Sequence, residues 1–344
     1  MEILVIGGTG FIGPAVIRQL AAGGHQVSVM HRGRKSAPLP AGVRTFRGDR
    51  HALRFMRNDL KRLAPEVVID LICYNQAEAE GLMRAFSGLA RRTVVASSQD
   101  VYRAYGGFIG LEEAAPATAP LSEDAPLRES RYPYRQFAER FGQWVYEYDK
   151  ILVEQVVMSE AQLPGTVLRL PFVYGPRDHQ HRTFDYLKRM DDGRGAILMG
   201  ERRAAWRWTR GYVDNVAAAI ALAATDERAA GRTYNVGDPA ALSELQWAQI
   251  IAEAAGWAGE FVTVPDDALP AHLRMPYNFA HHLDGDTRRI RRELDYTEPI
   301  TRGAALQQTI AWQRANPAAV DSAEQFDYAA EDALLESVRQ QRRS

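Results

Sequence analysis

A glycine-rich turn near the start of the chain constrains its fold more than any other feature. An apolar run, ILVI at residues 3–6, leads directly into GGTGFIG at residues 7–13, and an amphipathic stretch follows. In a strand–turn–helix of this kind the first glycine permits a tight turn, the second permits close approach of a pyrophosphate, and the third permits close packing of helix on sheet. The unpaired amides at the helix N-terminus then face the phosphates. The spacing predicts a dinucleotide site whose contacts are Gly7, Gly10, Phe11, Ile12 and Gly13.

Short apolar runs alternate with longer amphipathic stretches through the first half of the chain. Strict alternation of strand and helix implies βαβ units with right-handed crossovers and a parallel sheet. We therefore expect an α/β fold, a Rossmann-type doubly wound parallel sheet with a smaller C-terminal substrate-binding lobe. The predicted strands are Glu2–Ile6, Gln26–His31, Val43–Arg47, Val67–Ile72, Thr93–Ser97, Thr166–Arg169 and Thr233–Val236. The predicted helices are Pro14–Ala22, His51–Leu63, Gln76–Leu89, Arg135–Gln162, Asn215–Ala224 and Ser243–Ala255.

The less regular segments lie in the second half and suggest the domain boundaries. We expect residues 1–175, with about 211–240, to form the dinucleotide-binding domain. Residues 176–210 and 241–320 would form the substrate-binding lobe over the carboxyl ends of the strands, where open α/β sheets bind ligands. Residues 321–344 are charged and Ala-rich with helical spacing, and they predict a peripheral helical tail.

Charge and composition exclude several classes of function. Lys and Arg number 42 against 43 Asp and Glu, for a net charge of −1, so no broad basic field is available and we expect no nucleic-acid partner. No run reaches the roughly eighteen apolar residues that a membrane span needs, and no secretory signal precedes the first strand, so we expect a cytoplasmic protein without membrane contact. The single cysteine, Cys73, fits a reducing compartment, and its place in an apolar strand predicts a buried, inert thiol.

The end of the second predicted strand bears on which dinucleotide is bound. An acid there would bond the adenosine ribose of NAD, but the sequence has His31 and Arg32. Arg32 could bind a 2′-phosphate bidentately, with Arg34 and Lys35 assisting. This favours NADP, with NAD as the alternative if these cations only face solvent. Asp49, after the third strand, could accept from the adenine amino group or cap a helix.

A tyrosine and a lysine four residues apart, Tyr146 and Lys150, form the pattern YxxxK. On a helix these positions share a face, and a nearby cation favours the phenolate. Tyr146 is therefore the predicted general acid/base, with Lys150 tuning it and reaching ribose hydroxyls. Ser98, at the end of a predicted strand, would hold the substrate oxygen. The alternatives are two surface residues on an amphipathic helix, a serine that only caps the strand, and Tyr148 as the acid/base if the helix is irregular.

An arginine- and tryptophan-rich stretch, RRAAWRWTR at 202–210, is the densest cluster in the second half. Arg clusters suit phosphates, and Trp faces suit bases or sugars. Arg207 and Arg210 are the predicted substrate contacts, and the alternative is a basic turn that leads into a strand with Trp in the core. The histidine pairs 179/181 and 281/282 have no cysteine neighbours and no helical spacing, so no metal site is expected.

Several motifs occur together in one order along residues 1–312. They are GGTGFIG, SSQDVY at 97–102, YxxxK with Glu154, LRLPFVYGPRD at 168–178, RGYVDNVA at 210–217, YNVG at 234–237 and DTRRIRRELDY at 286–296. With these motifs the chain resembles an extended short-chain dehydrogenase/reductase of the NAD-dependent epimerase/dehydratase group. The resemblance assigns the family's serine, tyrosine and lysine to Ser98, Tyr146 and Lys150. It places Pro171 and Val173 beside the nicotinamide.

The resemblance also implies a function. It implies an NAD(P)-dependent oxidoreductase or epimerase that acts by hydride transfer on a hydroxyl or carbonyl carbon, of a sugar or nucleotide-sugar, and that forms a homodimer. The alternatives are an NADPH-dependent carbonyl reductase of a non-sugar substrate and a non-catalytic NADP-binding regulatory or RNA-binding protein. The sequence departs from the family in a long segment, roughly 103–140, which is rich in aromatics and prolines. That segment is expected to form a lid, a substrate wall or a subunit contact.

Overall fold

A computed structural model of the chain describes residues 1–33, 38–118, 120–319 and 323–341. The strands in these residues are β1 (Glu2–Ile6), β2 (Gln26–His31), β3 (Arg44–Arg47), β4 (Val67–Asp70), β5 (Arg92–Ser98), β6 (Gly165–Leu170), β7 (Phe172–Tyr174), β8 (Ala196–Gly200), β9 (Arg207–Trp208), β10 (Arg210–Tyr212), β11 (Thr233–Asn235), β12 (Leu242–Ser243) and β13 (Glu260–Val264). The α-helices are α1 (Gly13–Ala22), α2 (Arg57–Leu63), α3 (Gln76–Phe86), α4 (Arg103–Phe108), α5 (Ala138–Phe141), α6 (Lys150–Ser159), α7 (Phe184–Asp191), α8 (Glu201–Ala205), α9 (Val213–Thr225), α10 (Glu244–Ala255), α11 (Arg288–Leu294), α12 (Arg302–Ala315) and α13 (Tyr328–Gln341).

The central sheet has seven strands in the order β11-β6-β5-β4-β1-β2-β3, and every neighbouring pair is parallel. The chain begins in the middle of the sheet at β1 and moves outward through β2 to β3. It then crosses to β4 and moves outward on the other side as far as β11. The order therefore reverses between β1 and β4, and a ligand crevice opens at the carboxyl ends of strands at such a switch point. This topology confirms the predicted doubly wound α/β fold.

The inner strands of the sheet are buried on both faces, which explains why they are nearly continuous apolar runs, whereas the edge strand β3 is largely exposed. Leu4 and Val5 of β1 are both fully buried but point to opposite sides of the sheet. Val5 packs in a core with residues of α1 and α9, whereas Leu4 packs in a core with residues of α2, α3 and α6. These two helical layers hold the glycine turn and the carboxyl ends of the strands in fixed positions.

Smaller pairs of strands lie in the second half of the chain. They are β7 with β10, β8 with β13, both parallel, and β9 with β12, which is antiparallel. Helix α13 packs Leu335 against the buried residues of β8 and β13, so the predicted helical tail contains a packed helix. Buried Glu331 of α13 pairs with Arg189 over 2.7 Å. The domain boundaries themselves remain a prediction. No helix in the described ranges has both the length and the apolar character needed to cross a bilayer.

The prediction of one long helix over Arg135–Gln162 is wrong. The chain forms 3₁₀ turns at Arg135–Phe137 and Gln143–Val145, the short α5 between them, and α6 only from Lys150. Gly142 adopts φ +93°, which an ordinary residue would rarely adopt and which interrupts the helical path. Asp149 has an extended backbone and caps α6 by accepting a 2.9 Å hydrogen bond from the Ile151 amide. The predicted helix His51–Leu63 is likewise divided, into a 3₁₀ turn at Arg50–Phe55 and α2.

Candidate functional site

A crevice of about 710 Å³ opens at the carboxyl ends of β1, β2 and β4. Its walls include the glycine turn at 7–13, Arg32 after β2, Asp49 after β3, and Tyr74 after β4. The crevice therefore lies at the switch point of the sheet, where the sequence predicted a dinucleotide site.

The glycine turn has the close packing that its spacing predicts. Gly7 adopts φ +85° and its carbonyl accepts the Gly10 amide over 3.1 Å. A Cβ at Gly13 would lie 2.4 Å from the backbone carbonyl of Gly8, so only glycine fits there. A Cβ at Gly10 would meet only the Gly7 oxygen, at 3.4 Å, and would otherwise project into open space. No side chain caps the first turn of α1, so the backbone at the crevice wall stays open to a ligand.

The ribose end of the crevice contains Arg32 and Asp49. Arg32 is exposed at the crevice wall and forms no ion pair with any residue that the structure describes. Arg34 and Lys35, which were expected to assist it, lie outside the described residues. Asp49 caps a 3₁₀ turn by accepting from the His51 amide over 3.0 Å, and it also lines the crevice. The capping alternative for Asp49 is therefore observed, and its adenine contact stays a prediction.

A further part of the crevice wall was not predicted from the sequence. Arg177 and His179, from the loop after β7, line the crevice, and the His179 ring meets Phe11 edge-on with centroids 6.4 Å apart. Arg177 holds a left-handed backbone with φ +72°. Buried Asp178 fixes this loop by accepting from the Gln180 and Arg182 amides over 3.0 and 3.1 Å. The only available signal was the segment GPRD at 175–178, within the motif that had been attributed to the nicotinamide end.

The two serines at the end of β5 have different surroundings. Ser97 is buried and donates over 2.6 Å to Glu154, which in turn pairs with Arg169 over 2.7 Å. Ser98 is only partly buried, and its hydroxyl accepts from the Asp100 amide over 3.1 Å. Ser98 thus combines the capping role with the position at the strand end that the sequence predicted.

Tyr146 does not occupy the position that the YxxxK pattern predicts, because α6 begins at Lys150 and the two residues do not share a helical face. The Tyr146 side chain is 48% exposed, and the Arg135 guanidinium lies 4.5 Å from its ring centroid. Tyr148 is 7% exposed and its hydroxyl donates to Oδ2 of Asp100 over 2.8 Å. The tyrosine that enters the site beside Lys150 and Ser98 is therefore Tyr148, the alternative that an irregular helix leaves open.

Lys150 is almost completely buried between the ends of β4 and β5. Its Nζ donates to the carbonyl oxygens of Cys73 and Ala96, both at 2.7 Å. The same Nζ lies 5.0 Å from the ring centroid of Tyr74 and 5.8 Å from that of Tyr148. Burial lowers the pKa of Lys150. The lysine is thus held at the strand ends by its first-turn position in α6, with one of its three donors left unused by these carbonyls.

The arginine cluster at 202–210 is mostly paired within the protein. Arg210 is buried, its guanidinium pairs with Glu244, and it lies 4.5 Å from the ring centroid of Trp247. This geometry does not fit the predicted contact of Arg210 with a substrate phosphate. Arg207 is exposed and donates to the Ala241 carbonyl over 3.0 Å, so it alone of the two predicted contacts faces solvent. Buried Trp206 fits the alternative of a basic turn with Trp in the core.

The residues expected beside the nicotinamide lie next to the strand ends but outside the crevice wall. Val173 is buried in β7 and its carbonyl accepts from Arg182 over 2.9 Å. Pro171 packs so closely on Gly211 that a Cβ there would lie 2.9 Å from the proline ring. Their contact with a cofactor stays a prediction.

The remaining titratable residues give no metal centre. Within the described ranges no group of three or more His, Cys, Asp or Glu side chains is arranged to hold a metal ion. The His181 ring stacks on Trp312 with centroids 5.6 Å apart. Cys73 is fully buried, as predicted, and burial raises the pKa of its thiol to about 12.

Comparison of the sequence with known proteins identifies one enzyme family and several relatives. The model of the NAD dependent epimerase/dehydratase family matches residues 3–237. The 2′-dehydrokanamycin reductase of Streptomyces kanamyceticus is 30% identical over 280 residues, which cover 77% of this chain and 70% of that protein. The dTDP-glucose 4,6-dehydratase of Streptomyces niveus is 25% identical over 350 residues, which cover 92% and 94%.

Solved structures share the fold at lower sequence identity. The UDP-glucose 4-epimerase of Thermotoga maritima, solved with UDP-glucose, aligns with a TM-score of 0.65 and 20% identity over 92% of this chain and 99% of its own. The dTDP-glucose 4,6-dehydratase of Bacillus anthracis, solved with NAD, aligns with a TM-score of 0.66 and 16% identity over 92% and 97%.

Proposed function

This chain belongs to the NAD dependent epimerase/dehydratase family, and from that premise we propose that it transfers hydride between NADP(H) and a hydroxyl or carbonyl carbon of a sugar-like substrate. It is an NAD(P)-dependent enzyme of the extended short-chain dehydrogenase/reductase type. The observation that carries the proposal is the crevice at the switch point of the sheet, which is lined by the glycine turn and by Arg32, a cation with no ion pair among the described residues. A bound nicotinamide supplies or accepts the hydride.

Three residues that line the crevice, Gly10, Arg177 and Arg32, support the binding of a dinucleotide. Gly10 leaves open space where a side chain would project, so backbone can approach a pyrophosphate. Arg177 also lines the crevice and forms no ion pair with a described residue, so its charge is available to the same phosphates. Arg32 supports NADP because a guanidinium can bind a 2′-phosphate bidentately. NAD, which is named with the B. anthracis structure, is the alternative cofactor.

For the reacting end of the site we propose Ser98, Tyr148 and Lys150. Ser98 would orient the substrate oxygen, since its hydroxyl lies at the strand end and bonds Tyr148. Tyr148 would exchange a proton with that oxygen in place of the exposed Tyr146. Lys150 would use its remaining donor to hold a ribose hydroxyl. The rings of Tyr74 and Trp144, whose centroids lie 5.1 Å apart, line the crevice beside this end.

The pairing of the arginines favours a substrate without a diphosphate. Arg202 pairs with Asp266 over 3.2 Å, Arg203 with Glu244 over 3.4 Å, and Arg210 with Glu244 as well. A phosphate would have to compete with these carboxylates. We therefore favour reduction of the carbonyl group of a sugar-like compound, in line with the name of the S. kanamyceticus relative.

A second candidate is epimerisation or dehydration of a nucleotide-sugar. The similarity to the S. niveus dehydratase supports it, because that similarity extends over 92% of this chain. Arg207 is then the proposed phosphate contact, since it is exposed. In this reaction the hydride returns to the same substrate, so no net redox change occurs.

We also propose a cytoplasmic homodimer. A reducing compartment agrees with the single, buried Cys73 thiol. The dimer would form through α3 and α6, which pack side by side on one face of the sheet. Light scattering of the purified chain tests the dimer, and a monomer at micromolar concentration would contradict it.

The function is tested by a screen of sugar ketones, simple carbonyl compounds and nucleotide-sugars, with NADPH and with NADH, read by mass spectrometry. We expect a product two mass units above a carbonyl substrate, formed with NADPH. For a nucleotide-sugar, an unchanged mass with a new retention time (epimerisation) or the loss of the mass of one water (dehydration) would support the second candidate. Absence of any nicotinamide-dependent conversion would contradict both candidates.

A further inference from the structure

A buried carboxylate, Asp100, lies at the centre of the reacting end without an ion pair of its own in the described residues. It follows β5 by two residues and is 5% exposed. Its Oδ2 accepts from Tyr148 over 2.8 Å and from Tyr134 over 3.0 Å, whereas its Oδ1 is buried and has no hydrogen-bond partner in the part of the chain that the structure describes. A buried carboxylate oxygen without a donor is costly, and such a group usually has a function that explains it.

The hydroxyl of Tyr148 is bonded to this carboxylate and not to the lysine. The Lys150 Nζ instead donates to the Cys73 and Ala96 carbonyls. Burial and the Asp100 charge raise the pKa of Tyr148 well above that of an ordinary tyrosine. A tyrosine in these surroundings does not become a phenolate near neutral pH, so any proton that it accepts must be passed on.

We propose that Asp100 stores the proton of the reaction, with Tyr148 relaying it between Asp100 and the substrate oxygen. This inference rests on the hydride transfer proposed above. In alcohol oxidation the substrate O–H bond breaks and its proton joins the Tyr148 oxygen. The Tyr148 O–H bond breaks in turn and its proton joins Oδ2 of Asp100. The electron pair of the substrate C–H bond leaves as the hydride that the nicotinamide accepts, and carbonyl reduction is the same sequence reversed.

Asp100 is thus a positioning and proton-accepting residue that acts through the tyrosine. The observed hydrogen bond, in which the Tyr148 hydroxyl donates to Oδ2 of Asp100, is the starting arrangement for oxidation. The groups that face Asp100 are Tyr105, Tyr134, Tyr148, Lys150 and Arg128. The Arg128 guanidinium donates to the backbone carbonyl of Asp100, and its Nη2 lies 3.8 Å from Asp149, so its charge is shared with another carboxylate.

The segment at 103–140 supplies the rest of this network. Tyr134 bonds Asp100, and its hydroxyl lies 2.9 Å from that of Tyr105. The two rings meet edge-on with centroids 6.2 Å apart. The extra segment therefore encloses the carboxylate with aromatic rings, which exclude water and strengthen the electrostatic interaction between Asp100 and Tyr148.

The first test needs no substrate. Full-length protein is labelled with fluorotyrosine, and the ionisation of Tyr148 is followed by fluorine NMR, with the resonance assigned by its loss in Tyr148→Phe. In Asp100→Asn the pH midpoint of Tyr148 ionisation should fall by at least about one pH unit. The substitution removes a negative charge that opposes formation of the tyrosinate at hydrogen-bond distance. Glu147→Gln, which removes an exposed carboxylate next to Tyr148 in the sequence, should leave the midpoint unchanged. An unchanged midpoint in Asp100→Asn overturns the proposal.

The second test follows turnover of NADPH with diacetyl as a carbonyl probe, or with a substrate from the screen. Asp100→Asn should lower kcat about 100-fold with little change in KM, and Asp100→Glu should restore part of it. A plot of kcat against the deuterium fraction of the solvent should be curved for the native enzyme, since two protons move in the reaction. The same plot should be linear for Asp100→Asn. Native kcat in a folded Asp100→Asn protein overturns the relay even where the NMR midpoint shifts. Failure of the native protein to bind either nicotinamide cofactor instead refutes the proposed function.

Discussion

Tyr148 donates its hydroxyl hydrogen to Oδ2 of Asp100 over 2.8 Å, although the two residues are 48 positions apart in the sequence. The contact joins the end of β5 to the residues just before α6. It also fixes which tyrosine faces the interior, because the neighbouring Tyr146 projects outward against Arg135. At the proposed reacting end, the buried tyrosine therefore lies two residues before Lys150 and not four.

The two tyrosines should respond differently to loss of their hydroxyls. Tyr148→Phe is expected to lower kcat about 100-fold or more, because it removes the group that exchanges the proton. Tyr146→Phe, the matched control, should change kcat less than about twofold, since its side chain is half exposed. Turnover of NADPH measures both, and cofactor affinity should stay native in each. A large loss only in Tyr146→Phe would show that the assignment is reversed.

Substitutions at Gly13 and Gly10 should affect different properties, namely protein stability at Gly13 and cofactor binding at Gly10. Gly13→Ala places a Cβ 2.4 Å from the Gly8 carbonyl, so we expect a loss of stability of at least about 2 kcal/mol. Gly10→Ala meets only the Gly7 oxygen at 3.4 Å, so it should fold normally yet bind either cofactor at least about tenfold more weakly. Thermal unfolding and fluorescence titration measure the two effects. Native cofactor affinity in Gly10→Ala would contradict a pyrophosphate at this turn.

Arg177 should contribute to cofactor binding at a cost in backbone strain. Its φ of +72° favours glycine. The free energy of unfolding of Arg177→Gly should therefore equal or exceed that of Arg177→Ala, with a difference of up to about 1 kcal/mol. Both variants lose the cation that lines the crevice, and both should bind NADPH and NADH about tenfold more weakly, because the pyrophosphate is common to the two cofactors. Unfolding curves and binding titrations provide the readouts. Unaltered binding in Arg177→Gly would remove this loop from the cofactor site.

Arg210 and Arg207 should affect different properties. Arg210→Met removes one partner of a buried ion pair with Glu244, and we expect a loss of about 3 kcal/mol in the free energy of unfolding. Arg207→Ala changes an exposed side chain, so stability should shift by less than about 0.5 kcal/mol while the KM for a phosphate-bearing substrate rises. Denaturant unfolding and initial rates distinguish them. A stable Arg210→Met protein with a raised KM would restore Arg210 as a substrate contact.

The fold was predictable because its determinants are local. The glycine turn, the apolar strands and their alternation with helices each occupy a few consecutive residues, and a parallel sheet follows from them. The beginning of α6 was also marked locally, since Asp149 directly precedes an apolar helical run and is a common N-cap residue. This signal and Gly142 both lie inside the predicted helix Arg135–Gln162, which the amphipathic pattern alone extends across them.

The burial of Arg210, which does not fit a substrate contact, could not be predicted for a different reason. Arg210 and Glu244 are separated by 34 residues, and their pairing depends on how β10 meets α10 in the folded chain. Asp100 likewise became recognisable only when the fold brought Tyr134 and Tyr148 to its carboxylate. A count of charges along a sequence shows which groups are available but not which ones neutralise each other.

The central claim is that the crevice binds a dinucleotide and that Arg32 selects its 2′-phosphate. Fluorescence titration of the full chain with NADPH and with NADH tests this claim most directly, with Arg32→Ala as the variant. Arg202→Ala serves as the control, because Arg202 is also exposed but pairs with Asp266 away from the crevice. We predict that native protein binds NADPH at least about tenfold more tightly than NADH, that Arg32→Ala removes this preference, and that Arg202→Ala keeps it. Equal weakening of both cofactors in Arg32→Ala, or binding of neither by the native chain, would contradict the account.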